Sequence, residues 1–241
     1  MSGIWVFGYG SLVWNPGFDF VQSQIGFIRG YERRFWQGND KHRGTPDKLG
    51  RVATLVESKE GQVWGRAFQL RSDESSRSTS LNYLDQRESH LGGYATRILT
   101  FYPRDPRQEP IPVLVYVALP SSSLYLGPAS VAKLADEIIA ASGHCGPNTE
   151  YVLKLAEFMK TEVPHVWDDH LFSLEASLRV RLKMDGGEVP GHYKPPSPVA
   201  LEEGGEDQSV GDGVLGARED EASGSDFASQ VPSRRLRCLD L

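Results

Sequence analysis

Hydrophobic and polar positions alternate through the first half of the chain, and this pattern predicts β-strands. Alternating runs rich in Val, Ile, Thr and aromatic residues are typical of half-buried strands. A break near Gly30 separates two of the runs, and Glu60-Gly61 predicts a hairpin-like turn between two others. The predicted strands are 4–7, 24–29, 31–36, 51–57, 62–70, 94–102 and 113–119.

The second half of the chain has helical periodicity, with apolar residues three and four positions apart. One helix is predicted between strands, at 73–87, where Asp73 and the serines after it suit a helix N-cap. Three more are predicted at 129–141, 148–160 and 170–184. Strands first and helices afterwards predict an α+β fold. We expect a small curved or barrel-like sheet with helices packed outside it.

The composition changes at the end of the last predicted helix. Residues 185–241 are rich in Gly, Pro, Ser, Glu and Asp and lose apolar periodicity, which predicts an acidic, disordered C-terminal tail. The net charge of this tail is −7, whereas residues 1–184 carry about +1. Residues 1–184 are therefore expected to form one nearly neutral domain. A body without a basic stripe argues against nucleic acid as a partner.

Two cysteines among 241 residues exclude a disulfide framework and fit the reducing cytoplasm, which is the expected location. The N-terminus lacks a basic segment followed by a long apolar one, so no signal peptide is expected. Since no apolar run approaches the ~20 residues of a membrane helix, we also expect no membrane partner.

A turn containing two glycines follows the first predicted strand directly. Backbone N–H groups exposed at such a turn form a concave anion site, and glycine lets the backbone approach a ligand or adopt a positive φ. A tight turn with a tyrosine packed beneath it explains the same residues without any ligand. The candidate binding residues are Val6, Phe7, Gly8, Tyr9, Gly10, Ser11 and Leu12.

Glu88 is the candidate general acid and base. It stands where a predicted helix ends, before Gly92-Gly93 and the strand that begins at Tyr94. A carboxylate at such a joint points into a cleft over the sheet, and partial desolvation would raise its pKa into a useful range. The alternative is a surface glutamate paired with Arg87.

Two further groups of residues have the chemistry of a site. His165, Asp169 and His170 are metal-ligand types, but Asp168-Asp169 before a helix is better explained by capping and by the helix dipole. Cys145 has a nucleophilic thiol, but the surrounding glycines and proline are typical of a connection between helices.

Many short motifs occur in a recognisable order along the chain. They are Val6 to Leu12, Arg33-Arg34-Phe35-Trp36-Gln37-Gly38, His42-Arg43-Gly44, Pro46, Gly50-Arg51-Val52, Trp64-Gly65, Tyr83-Leu84, Arg87-Glu88, Gly92-Gly93-Tyr94, Phe101-Tyr102-Pro103, Tyr125-Leu126-Gly127-Pro128, Gly146-Pro147-Asn148-Thr149-Glu150-Tyr151 and Asp169-His170-Leu171. Together they resemble the ChaC family of glutathione-specific γ-glutamylcyclotransferases, and the resemblance covers roughly residues 3–183.

This resemblance implies a small β-barrel flanked by helices, and cleavage of reduced glutathione to 5-oxoproline and cysteinylglycine without metal or cofactor. It places the γ-glutamyl group on the loop from Val6 to Leu12 and the catalytic role on Glu88. We expect a monomer. Ser89-His90-Leu91 makes a longer join before Gly92 than some members have. Two alternatives stay open: a cyclotransferase for other γ-glutamyl amides or amino acids, and a non-catalytic binding module of the same fold.

Overall fold

The first strand, β1 (Trp5–Gly8), is buried on both faces, as its unbroken apolar run predicts. In the computed structural model, which describes residues 3–71, 73–84 and 94–183, this strand is part of a closed barrel. The other barrel strands are β2 (Phe20–Asn39), β3 (Gly50–Leu70), β4 (Tyr94–Pro103) and β5 (Ile111–Ala118).

The barrel order is β1-β3-β2-β4-β5, and it closes because β5 pairs with β1 in parallel at Val6 and Leu114. The other strand pairs are antiparallel. The predicted α+β class with a barrel-like sheet is therefore confirmed.

The predicted hairpin turn at Glu60-Gly61 is wrong. Residues 50–70 form one continuous strand, both halves of which pair antiparallel with β2. The register shifts between the pairs Arg29↔Gln62 and Tyr31↔Glu57, so Glu60-Gly61 lies in a bulge. Gly30, on the opposite strand, has a φ of +83°, which is the break that the sequence indicated. That break bends β2 but does not divide it.

The part of the chain that the structure describes contains four α-helices, and all four were predicted. They are α1 (Glu74–Leu84), α2 (Val131–Ala140), α3 (Asn148–Glu162) and α4 (Asp169–Arg181). The last predicted residues of the first helix, 85–87, and the end of the fourth, at 184, lie outside the described residues. A two-residue hairpin, β6 (Ser142–Gly143) and β7 (Gly146–Pro147), joins α2 to α3.

Among the residues that the structure describes, the core forms two clusters on opposite faces of β1. Trp5 and Phe7 belong to the larger cluster, which includes the inner faces of α2, α3 and α4. Ile4 and Val6 belong to the smaller one, together with residues of α1. Within the described ranges, no helix is long and apolar enough to cross a membrane.

Candidate active site

The chain leaves β1 through a short 3₁₀ turn at Ser11–Val13. The carbonyls of Gly10 and Ser11 accept bonds from the N–H groups of Val13 and Trp14, at 3.1 and 3.3 Å. The first N–H groups of such a turn are directed away from the carbonyls of the turn itself, towards groups outside it.

Gly10 is required for close approach and not for a positive φ. Its φ is −127°, which other residues also adopt. A Cβ atom at this position would lie 2.5 Å from the hydroxyl oxygen of Tyr151 on α3. A side chain here would therefore displace either the Tyr151 hydroxyl or the turn.

A cavity of about 450 Å³ lies over this turn, within the size range of ligand pockets. Five of the seven predicted binding residues line it, namely Phe7, Tyr9, Gly10, Ser11 and Leu12. Val6 lies instead in the smaller core cluster, and Gly8 pairs with Arg66 in the sheet. The structure thus brings the C-terminal part of the predicted loop to the cavity.

Tyr9 has a structural role in addition to its place on the cavity wall. Its hydroxyl donates a 2.6 Å hydrogen bond to the carbonyl of Tyr116 on β5, and the side chain is buried. The turn is therefore fixed to the barrel by a tyrosine packed beneath it, as the structural explanation of this motif required.

Glu88 lies outside the described residues. The segment that carries it starts after α1 and ends at β4, and a residue at each end, Tyr83 and Tyr94, lines the cavity.

Gln37 is a cavity residue that the sequence did not single out. It is 1% exposed, and within the described part of the chain neither atom of its amide has a hydrogen-bond partner. Such an arrangement is costly without a ligand or water to pair with. A bulge between Arg34 and Gln37 changes the register just before this residue, and sequence alternation cannot reveal such a bulge.

The capping explanation of Asp168 is confirmed. Its carboxylate accepts a 3.0 Å hydrogen bond from the N–H of Leu171 and forms a 2.8 Å ion pair with Arg33.

His170 is one of the residues named above as a possible metal ligand. Its Nε2 atom accepts a 3.2 Å hydrogen bond from the N–H of Phe35. Burial, aided by the charge of Arg34, lowers the pKa of His170 to about 4.

Cys145 lies at the tip of the hairpin between α2 and α3, as the predicted helix connection requires. It also lines the cavity, together with His42 and His144. These three side chains form a group that could hold a metal ion.

Comparison with known structures identifies the class of fold. A crystal structure of a glutathione-specific γ-glutamylcyclotransferase from yeast superimposes with a TM-score of 0.63 at 25% identity. The match covers 75% of this chain and 99% of the yeast chain. The fold is γ-glutamylcyclotransferase-like.

Residues 4–181 match the family model described as ChaC-like protein. Glutathione-specific γ-glutamylcyclotransferase 1 of Danio rerio is 47% identical over 182 residues, covering 76% of this chain and 92% of the fish protein. The human protein of the same name is 48% identical over 173 residues, covering 72% of this chain and 77% of the human one. The chain belongs to the ChaC-like family.

Proposed function

We propose that this protein cleaves reduced glutathione to 5-oxoproline and cysteinylglycine, acting in the cytoplasm as a monomer without a cofactor. The observation that carries the proposal is the cavity over the turn at residues 10–13, called the Gly10 turn below. Five of the predicted binding residues line this cavity, in a chain that matches the ChaC-like family. The names of the fish and human relatives support glutathione as the substrate.

The reaction is an intramolecular aminolysis. The α-amine of the γ-glutamyl group attacks its own γ-carbonyl carbon, a five-membered ring closes, and the bond to the cysteine nitrogen breaks. Neither water nor a protein nucleophile takes part. The protein must hold the substrate bent, and fixing such a geometry lowers a barrier by up to about 7–11 kcal/mol.

The Gly10 turn and Gln37 bind the two charged groups at the head of the substrate. Backbone N–H groups at the start of the 3₁₀ turn donate to the α-carboxylate, and they also stabilise negative charge that develops on the γ-carbonyl oxygen. The amide of Gln37 offers both an acceptor and donors, which suits a head group carrying an ammonium and a carboxylate. Binding this head would supply the partners that the buried amide lacks.

Glu88 moves the proton. The α-ammonium has no lone pair, so a base must remove a proton before the amine attacks. The resulting carboxylic acid then protonates the departing cysteine nitrogen, so one residue performs both steps. The ring nitrogen releases its second proton as the tetrahedral intermediate collapses, and the free amine of cysteinylglycine takes up a proton, so the charges balance. The cavity positions of Tyr83 and Tyr94 support this role, because the segment between them carries Glu88.

Replacing Glu88 tests the assignment. In Glu88→Gln the side chain keeps its size and loses its basicity, so kcat should fall by at least about 10²–10⁴-fold. The Kd for glutathione, measured by calorimetry, should change little. Glu109→Gln, an exposed glutamate in the loop before β5, is the matched control and should turn over normally. Release of 5-oxoproline by Glu88→Gln at the parent rate would contradict the assignment.

A further inference from the structure

His42, His144 and Cys145 come together on the cavity wall although about a hundred residues separate the first from the other two. Their ligand atoms all lie within 4.8 Å of one another. The imidazole rings of His42 and His144 are 4.8 Å apart between centroids and inclined at 52°. His42 is half-buried, whereas His144 and Cys145 are exposed.

The backbone fixes this arrangement. His144 and Cys145 form the two-residue turn of the β6–β7 hairpin. The N–H of His144 donates to the carbonyl of Lys41 at 3.0 Å, and that of Cys145 donates to the carbonyl of His42 at 2.9 Å. Gly143 allows the contact, because a Cβ atom there would overlap the backbone of His42.

The Arg43 side chain also links the segment that carries His42 to the β6–β7 hairpin and the start of α3. Its guanidinium donates to the carbonyl of Pro147 at 3.0 Å and forms a 2.7 Å ion pair with Glu150. This cation next to the group is therefore already paired with a carboxylate, which reduces its repulsion of a metal ion.

His144 has the orientation that is typical of a metal-ligating histidine. Its Nδ1 lies 2.9 Å from the carbonyl oxygen of Lys41, so this nitrogen carries the proton and donates it. The lone pair is then on Nε2. Metal-bound histidines commonly donate their other ring N–H to a backbone carbonyl in this way, which fixes both the tautomer and the ring.

The geometry points to a Zn²⁺ site made of His42, His144 and Cys145. Two imidazoles and one thiolate are a donor set that zinc prefers, and three protein ligands leave a fourth position open. With bonds of about 2.0–2.3 Å, tetrahedral ligand atoms lie about 3.3–3.6 Å apart. Rotation of the exposed Cys145 side chain, with adjustments of the two rings that keep the hydrogen bond from His144 to Lys41, brings the observed separation to these values.

Because the three ligands line the same cavity as Gly10 and Gln37, a bound ion lowers turnover. The ion occupies space at the wall, and its open position takes the thiolate of glutathione, a soft ligand. Zinc is here an inhibitor and not a cofactor. This inhibition rests on the proposed function, whereas the binding of the metal does not.

Metal binding is tested on the full chain with Cys238, the other cysteine, replaced by serine throughout. Titration with Zn²⁺ against a chromophoric chelator should show one ion per chain. His144→Asn and Cys145→Ser should each weaken binding at least about 100-fold, since loss of an outer-shell partner alone costs 10–100-fold. His165→Asn, an exposed histidine outside the group, should bind like the parent.

Spectroscopy tests the thiolate separately. Co²⁺ in place of Zn²⁺ should give a near-ultraviolet thiolate-to-cobalt charge-transfer band that Cys145→Ser lacks. The site would be overturned, whatever the enzyme's activity, if the parent did not bind one Zn²⁺ per chain. It would also be overturned if His144→Asn and Cys145→Ser bound Zn²⁺ as tightly as the parent does.

Inhibition is measured with free Zn²⁺ held constant by a chelator buffer, each variant being compared with its own metal-free rate. Zinc should lower the parent rate and leave those of His144→Asn and Cys145→Ser unchanged at the same free concentration. Equal inhibition of all variants, or binding without inhibition, would overturn the inhibitory role. An inactive protein that still binds zinc through these ligands would count against the proposed function alone.

Discussion

At the scale of single residues, the contact between Gly10 and Tyr151 constrains the turn that follows β1. The space between them has no room for a Cβ atom. The hydroxyl of Tyr151 also accepts a 3.2 Å bond from the N–H of Ala53, so α3 and β3 hold it in place.

Gly10→Ala should therefore raise the KM for glutathione about tenfold, a change of roughly 1.4 kcal/mol in binding. Removing the opposing oxygen should restore space, because the next Tyr151 atom would lie 3.7 Å from the new Cβ. The double variant Gly10→Ala/Tyr151→Phe should then have a lower KM than Gly10→Ala. Steady-state kinetics of both single variants and the double variant check this. A double variant no better than Gly10→Ala would show that the contact is not the cause.

His170 makes the stability of the fold depend on pH. Its pKa is about 4 in the folded protein and about 6.5 when unfolded, because burial opposes the charged ring. Between these values the unfolded chain binds more protons, so the free energy of unfolding falls as the pH falls from 6.5 towards 4.

We expect this loss to be about 2 kcal/mol, since partial exposure of the ring reduces the full effect. Urea unfolding at pH 7 and pH 4.5 measures it. His170→Gln keeps an acceptor for the N–H of Phe35 and should lose part of the pH dependence. His165→Gln, at an exposed histidine, is the control. The same pH dependence in His170→Gln and the parent would contradict this explanation.

At the scale of secondary structure, one carboxylate attaches α4 to the barrel. Asp168 caps the helix and also pairs with Arg33, whose side chain is 1% exposed. Loss of Asp168 leaves a buried cation without its partner, which is far more costly than loss of a surface pair.

Asp168→Ala should lower the free energy of unfolding by about 3–5 kcal/mol. Asp168→Asn can still accept the bond from Leu171, so it should be about 1 kcal/mol more stable than the alanine variant. Asp136 on α2 forms a solvent-accessible ion pair with Arg181 on α4. Asp136→Ala removes this pair and should lower the free energy of unfolding by at most about 1 kcal/mol. Urea denaturation compares the three variants. Equal losses for Asp168→Ala and Asp136→Ala would refute the role of burial.

The strands show where sequence patterns reach their limit. Alternation predicts the extended segments on both sides of residue 60 but cannot tell a hairpin turn from a bulge, because both use Gly and polar residues. The pairing of both halves of β3 with β2 decides for the bulge. Helices α2, α3 and α4 were easier to predict because their apolar faces repeat over about three turns or more.

At the scale of the whole molecule, the barrel gathers the cavity from distant parts of the sequence. A strand followed at once by glycines can be recognised locally, and five of the seven binding residues predicted from it line the cavity. The sequence did not predict that Gln37, or the group of His42, His144 and Cys145, lies at this cavity, because closure of the barrel and the β6–β7 hairpin bring them together.

The domain boundary at 184 and the disordered acidic tail stay predictions. The match to the family model ends at residue 181, three residues before the predicted boundary. The catalytic role of Glu88 likewise stays a prediction until the variant is measured.

The products formed from reduced glutathione in H₂¹⁸O test the central claim most directly. Intramolecular aminolysis predicts 5-oxoproline and cysteinylglycine in equal amounts, with no ¹⁸O in either and no free glutamate. A parallel panel of γ-glutamyl amino acids should react much more slowly. Glutamate carrying ¹⁸O would instead show hydrolysis, and no products from a folded chain would contradict the account.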